Sequence, residues 1–507
     1  MTAVESASEA ESGGLGSVLK RGAAISALSL VVCQGVTVIQ TIVLGRLLGP
    51  TEVGLFAAGS VVIGVVLVSH SALSQALIQR ERDLENAANT VLVVTFATGL
   101  LLGLGVLAAS PLIGNLFHDS RVALIAAATS GLLVLHACSG VPDALMQRAF
   151  QFKRRMIVDP AISLSFAGVS TTFAVLGFGA WAMVIGTYAS TATGVVLTWW
   201  LAKWRPFQGK FSFRIWREMA GFSFPLLLDG IAERAREMVE QILVGRQLGT
   251  GDLGQYRYAY RIASMPSMAV IQICSYVLFP AFSRISGDPI RFREAFLRAL
   301  GWIWFAALPA GMLLVVAGEP IVVLLLGEQW RAAGTATGAM AGIGLGIALT
   351  SVGWEAIKGA GRSSLLNWLT GLSVVLGLPL IVILLPLGLV GVGIAISTMH
   401  LVIGCVTVEM ARRIVGASYR EVIGCLVPST LSALAALAVV FPLERVLVRS
   451  DQHGEPLGLA LITAECLLFA IVYLGGLRLL APGQYRQVRG FIERGLTRLR
   501  GDVGRPV

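Results

Sequence analysis

The chain has 507 residues, of which 55% are hydrophobic and 13% charged, against about 25% charged in soluble domains. Its mean hydropathy of +0.78 comes from apolar segments along the whole length, which excludes a soluble domain on a single anchor and defines an all-α integral membrane protein. The formal net charge of +10 needs no nucleic-acid partner: the excess suits an anionic inner leaflet, and no zinc finger or other nucleic-acid module is present.

Residues 1–17 are polar and acidic (Glu5, Glu9, Glu11) and lack the basic start and cleavage pattern of a signal peptide. They read as a disordered cytoplasmic N-terminus. Apolar runs of roughly 20 residues then predict spans at 22–44, 53–78, 88–113, 122–143, 158–178, 180–201, 220–245, 254–282, 295–317, 334–357, 364–386, 388–410, 422–441 and 457–480, about fourteen in all. With the N-terminus inside, the cytoplasmic segments and the span ends adjoining them (Arg298 and Arg478) hold 29 of the 39 basic residues and the outer segments six: Arg46, Arg121, Arg246, Arg331, Arg445 and Arg449. The other four, Arg234, Arg236, Arg257 and Arg261, lie within proposed spans. That asymmetry gives an N-in, C-in topology. The six cysteines are widely spaced, without a CxxC, and read as small apolar packing residues.

The first span carries Gln34, Thr37, Gln40 and Thr41 and ends in GRLLGPTEVG (45–54). Residues 245–254 read GRQLGTGDLG, identical at five of ten positions with an ungapped offset of 200. Later echoes follow at a slightly larger offset: SPLIGNLF (110–117) with EPIVVLLL (319–326), and GFGAWA (177–182) with PLGLVG (386–391). This predicts an N-lobe over 18–205 (spans 1–6) and a C-lobe over 206–410 (spans 7–12, after an amphipathic linker). An even span count makes them parallel repeats about an axis along the membrane normal. Residues 411–480 add spans 13 and 14, and 481–507 form a basic amphipathic cytoplasmic tail. Such repeats are typical of transporters that rock two halves around a central site; an old duplication retained for packing is the alternative.

In the second span, His70 stands near Ser69, Ser74 and Gln75. It suits a proton relay or a hydrogen-bonded packing role, and the same holds for His136 and His400. The seventh span is the most charged, with Asp229, Glu233, Arg234, Arg236, Glu237 and Glu240. At 100° per residue, Asp229, Glu233, Arg236 and Glu240 fall within an arc of about 60°. Six charges facing lipid would cost roughly 15–20 kcal/mol on insertion scales. The charged face is therefore expected to line protein or a water-filled cavity. The alternative, a helix lying in the interface, conflicts with its alignment to the apolar first span.

The eighth span opens QYRYAYRIAS, with Arg257 and Arg261 four apart on one face, flanked by Tyr256 and Tyr260. Paired arginines suit phosphate oxygens and tyrosine rings suit sugar faces; neutralising the acids of span 7 is the other reading. Arg46 and Arg246, at matching outer helix ends, either approach an anionic ligand or snorkel as anchors. Trp354, Glu355 and Lys358 sit where they would guard a cytoplasmic mouth or anchor an interface. The basic, aromatic segments 203–218 and 484–500 read as amphipathic helices on the inner leaflet.

Gly45-Arg46, Leu48-Gly49-Pro50 and Gly54, with SALSQALIQR (71–80) and the fourteen-span duplication, resemble the polysaccharide-exporting branch of the multidrug/oligosaccharidyl-lipid/polysaccharide superfamily. The likeness covers essentially the whole chain and is to bacterial O-antigen and exopolysaccharide flippases. It implies two six-helix lobes forming a V around a cationic central cavity, plus two C-terminal helices. It further implies alternating access, and movement of undecaprenyl-pyrophosphate-linked oligosaccharide from the inner to the outer leaflet of the bacterial cytoplasmic membrane. By motif, Arg46 is the cavity arginine carried over. Together with the residues read above, the candidate cavity set is Arg46, Arg246, Arg234, Arg236, Arg257, Arg261, Tyr256, Tyr260, Gln34 and Gln40. The acid-rich span 7 departs from a purely cationic cavity, which makes Asp229, Glu233, Glu237, Glu240 and His70 the ion-coupling candidates. The expected partners are the lipid-linked glycan and the bilayer, with glycan polymerase and chain-length enzymes nearby; no cofactor or metal is expected. Two rivals remain. One is a cation-coupled drug exporter of the same superfamily. The other is a membrane-embedded glycan polymerase or glycosyltransferase, which the short outer loops and the absence of P-loop, HExxH and GxSxG motifs argue against.

Overall fold

The computed structural model describes residues 32–80, 82–149, 152–206, 209–273, 278–362, 364–483 and 486. The described chain is helical throughout: α1 (Val32–Leu47), α2 (Pro50–Gln79), α3 (Leu84–Leu116), α4 (Ser120–Thr129), α5 (Gly131–Arg148), α6 (Phe152–Val175), α7 (Ala180–Ala202), α8 (Phe213–Gln247), α9 (Thr250–Ile273), α10 (Phe279–Ile285), α11 (Pro289–Leu326), α12 (Arg331–Ala339), α13 (Gly342–Gly359), α14 (Ser364–Leu384), α15 (Gly388–Val415), α16 (Tyr419–Pro442) and α17 (Glu455–Leu480). Helices are what hydrocarbon permits, because every backbone polar group must be satisfied within the segment. Side-chain hydroxyls follow the same rule. Thr41, Thr95 and Thr407 donate back to the carbonyls of Thr37, Val91 and Ile403.

Among the described residues, ten segments are long and apolar enough to cross a membrane, where the sequence predicts about fourteen spans. The physical reasons are local. α14 and α15 form one continuous apolar stretch, Ser364–Val415. The described part of α1 is short, and the charges of α8 and α9 dilute their apolarity. The N-terminal segment 1–17 lies outside the described residues, as does nearly all of the 484–500 tail.

Element boundaries recur along the chain. The expected spans 4 and 10 are each broken in two: α4 gives way to α5 at Ser130, and α12 to α13 at Met340-Ala341. Ser120, Gly131 and Arg148 correspond to Arg331, Gly342 and Gly359 at one constant offset, larger than the 200 of the opening motif. The two tight turns before α7 and α15 also correspond. Gly179 (φ +53°) and Gly388 (φ +67°) each start a helix from the left-handed region that glycine tolerates.

By packing, the chain forms two compact units, 1–254 and 255–507. In the first, α2 packs on α8, α5, α4 and α3. Close approach depends on small residues, as in membrane helix pairs generally: an added Cβ at Gly59 would meet Ile125, and one at Gly114 would meet Ala123. α6 and α7 pair through Gly186 against Ser170 and a Thr193–Ser165 hydroxyl bond of 3.0 Å. Between α3 and α4, the Asp119 carboxylate accepts from the Arg121 backbone N–H at 2.9 Å and caps α4. The Arg121 guanidinium beside it holds that carboxyl below its usual range.

In the second unit, α13 packs on α15, and α11 joins α12, α13, α16 and α17. Its core runs from Phe282, Phe292, Phe296 and Trp304 to Phe469 and Tyr473. The Trp304 indole donates to Thr430 Oγ1 at 2.9 Å, and the Tyr473 hydroxyl donates to the Phe305 carbonyl at 2.9 Å. Both tie the last two helices to α11. At one end Arg331 bonds Glu319 at 2.7 Å and Asp451 at 2.8 Å, while Arg445 bonds the other Glu319 oxygen at 2.8 Å. Large apolar side chains such as Leu101, Trp200, Trp368 and Leu479 point outward, as lipid-facing residues do.

Candidate functional site

α8 is where sequence and packing conflict most. Its 35 residues reach about 52 Å, beyond the roughly 30 Å hydrocarbon layer. Ser212 caps its start by accepting from the Ile215 N–H. One face rests on α2: an added Cβ at Gly230 would strike Val68 at 2.5 Å, and Ser223 Oγ donates to the Ala72 carbonyl at 3.0 Å. Nearer its end, Gly245 lies against the Phe117 ring.

The charges of α8 split into two groups. Arg236 is 2% exposed and Glu240 1%. The Arg236 guanidinium bonds Glu240 one turn on and Glu233 one turn back, so a single cation bridges two carboxylates spaced i−3 and i+4. The second group is Arg234, whose side chain is 54% exposed, paired with Glu237 at 2.6 Å. The helix thus satisfies most of its own charge. A buried guanidinium flanked by two carboxylates has its donors occupied, which suits a fixed internal strut. Arg234, Glu233 and Glu237 keep the solvent access that ligand or ion exchange requires. Asp229 lies on α8 and His70 on α2, but their side chains are outside the described set.

The duplicated turn repeats in atomic detail. Leu48 N–H donates to Leu44 O at 2.8 Å, and Leu248 N–H to Val244 O at 2.9 Å; Val53 N–H donates to Gly49 O at 3.3 Å, and Leu253 N–H to Gly249 O at 3.1 Å. Arg46 and Arg246 are both exposed at these helix ends. The two copies also meet. An added Cβ at Gly54 would lie 1.6 Å from the Thr250 carbonyl oxygen, and one at Gly254 would lie 1.9 Å from the Pro50 carbonyl oxygen. Pro50 corresponds to Thr250 and Gly54 to Gly254, so the contact is reciprocal and lies wholly within the first unit. The copies are nevertheless pinned differently. Pro50 begins α2 after an extended Gly49, whose N–H donates to Glu52; Gly249 instead adopts φ +99°.

On α1, Gln34 is exposed and Gln40 buried. On α9, Arg257 is exposed and Arg261 half-buried, whereas Tyr256 is buried and in ring contact with Tyr260 at 6.1 Å. The structure adds two α9 residues that the sequence did not single out. Gln255 donates to the Gln329 carbonyl at 2.6 Å and accepts from the Ala333 N–H at 2.9 Å. Tyr258 stacks on Trp330 with centroids 4.1 Å apart. Lys358 bonds Glu355 at 2.9 Å and sits over the Phe279 ring.

A duplicated helical unit with ionisable side chains inside its membrane segments defines a polytopic membrane protein of the transporter kind. Residues 43–334, more than half of the chain, match the family described as "Polysaccharide biosynthesis protein", and the chain belongs to that family. It is 25% identical over 347 residues to the succinoglycan biosynthesis transport protein ExoT of Rhizobium meliloti (strain 1021), covering 68% of this chain and 69% of that one. It is 26% identical over 324 residues to the lipopolysaccharide biosynthesis protein WzxC of Escherichia coli (strain K12), covering 61% of this chain and 63% of that one. In fold it is similar to the lipid II flippase MurJ in an inward closed conformation, with a TM-score of 0.74 at 14% identity over 91% of this chain and 99% of that chain.

Proposed function

We propose that this protein flips an undecaprenyl-pyrophosphate-linked oligosaccharide, an O-antigen or exopolysaccharide repeat unit, from the inner to the outer leaflet of the bacterial cytoplasmic membrane by alternating access. The family match carries this reading, because residues 43–334 contain both copies of the turn, the charged α8 and the arginines of α9. A lipid-linked sugar has a head that cannot cross hydrocarbon and a tail that need not leave it. Two repeat lobes, 18–205 and 206–410, rocking about a charged cavity solve that problem. Exposed Arg46, Arg246, Arg234 and Arg257 then meet the pyrophosphate, and Gln34 and Tyr260 meet the sugars. Glu233 and Glu237 serve ion coupling. Both termini face the cytoplasm, and glycan polymerase and chain-length enzymes receive the flipped unit.

The test is deletion of the gene, with analysis of surface glycan and of lipid-linked sugar on each side of the membrane. The expected result is lost surface glycan with complete lipid-linked units on the cytoplasmic side. Complementation by Arg46→Ala or Arg246→Ala should fail although both proteins insert normally. Normal surface glycan with raised drug sensitivity would instead make the protein an exporter.

A further inference from the structure

The last two helices carry a feature the function above does not use. α17 reads EPLGLALITAECLLFAIVYLGGLRLL, an apolar run interrupted by one acid, Glu465. It lies ten residues into the helix, about 15 Å along its axis. Glu465 is 4% exposed, and no described N–H or O–H donor reaches either carboxyl oxygen. The polar group against it is a second carboxyl, Glu444, in the π-helical turn Leu443–Val448. Glu444 is itself 3% exposed.

The two acids are not equivalent. Glu444 accepts from the Ser450 N–H at 3.0 Å and from the Ser450 hydroxyl at 2.9 Å, so its oxygens are already faced by donors. Glu465 receives no such bonds. Around this part of α17 the packing with α11 is an apolar cluster of Ala317, Leu324 and Ile462, with Ile321 and Cys466 against it. The other charged groups nearby are committed elsewhere. Glu319 on α11 is held by Arg331 and Arg445, and Asp451 in the turn before α17 by Arg331. α16 contributes no acid or base to this end, its titratable residues being near its start. Two buried carboxylates in contact repel strongly, and an unpaired buried carboxylate is costly in its own right. A proton on Glu465 donated to Glu444 removes both penalties and supplies the missing donor.

We infer that Glu444 and Glu465 form a proton-binding site in the added helix pair: Glu465 carries the proton, and Glu444, oriented by Ser450, accepts its hydrogen bond. No bond other than O–H forms or breaks on loading, and release returns the proton to water. This site is separate from the charges of α8 and does not depend on the proposed substrate.

The test uses the purified full-length protein in lipid nanodiscs, with infrared difference spectra recorded on stepping pH from neutral to alkaline. Wild type should show a protonated-carboxyl C=O band at neutral pH that titrates away, with one more proton released per chain than from Glu465→Gln. Gln is neutral, matches the acid in shape and can donate to Glu444, so this variant should fold. Should it fail to fold, Glu444→Gln gives the same decision, because the Glu465 band must then shift in frequency and in its titration. An identical band in wild type and variant overturns the proposal. So does a band that disappears on adding sodium at constant pH, since the site would then take a metal cation.

Discussion

At the residue scale, burial determines what each charge of α8 does. Arg236 sits where water does not reach, bridging Glu233 and Glu240, whereas Arg234, two positions away, projects outward with Glu237. Removing one member of a buried ion pair leaves an uncompensated charge, a loss of about 3–5 kcal/mol. Arg236→Met should therefore lower the thermal unfolding midpoint clearly in detergent. The double variant Arg236→Met/Glu240→Gln should recover much of that loss, because the stranded anion is gone. Arg234→Met, on an exposed pair of about 1 kcal/mol or less, should leave the midpoint nearly unchanged. Equal effects of Arg234→Met and Arg236→Met would show that burial does not separate the two arginines.

At the scale of elements, the reciprocal contact holds the first turn of α2 against residues 250–254, within the first unit. A methyl at Gly54 or Gly254 would have to occupy space held by a backbone carbonyl, which no rotamer change relieves. Gly54→Ala and Gly254→Ala should each cut transport on the order of tenfold, about 1.4 kcal/mol, and by similar amounts. Gly64→Ala, where an added Cβ meets nothing within 4 Å, should be silent. Transport by the three variants in proteoliposomes decides this; unaffected transport in the first two would mean the close approach has no role in the cycle. The twin motif was legible from sequence because five identities at one offset identify it. Its self-contact was not, because a repeat says nothing of where its copies meet. The breaks at Ser130 and Met340-Ala341 were hidden too, since apolar residues continue on both sides of them. On α9, four-residue spacing aligns the arginines with each other and the tyrosines with each other. The one-residue step between the sets turns them 100° apart, so Tyr256 packs inside while Arg257 faces out.

At the scale of the whole molecule, the distribution of basic residues predicts a sidedness that labelling can test. In a background with the native cysteines removed, cysteines introduced at Gln452 and Arg362 should react with impermeant thiol reagents from opposite sides: position 452 in intact cells and position 362 only after permeabilisation. Labelling of both from one side would overturn the N-in, C-in arrangement. Composition and positive charge made the membrane class and the helical architecture readable at once, because hydrocarbon leaves few solutions for the backbone. The charged α8 was readable for the same reason. Its internal pairing was not: Arg236 has several acids within reach along the helix, and only packing against other helices selects among them. Glu465 was visible as one acid in an apolar run, but its significance required Glu444, which lies across a turn from it.

The closeness of Gly54 and Gly254 also bears on descent. Two sites 200 positions apart that share one space are not free to drift as separate sites. Each occupies room left by the other copy's backbone, so a bulkier residue at one is admissible only if the crossing itself has moved. Among homologues, the two positions should accept larger side chains jointly or not at all, and that coupling should outlast sequence identity elsewhere in the repeat.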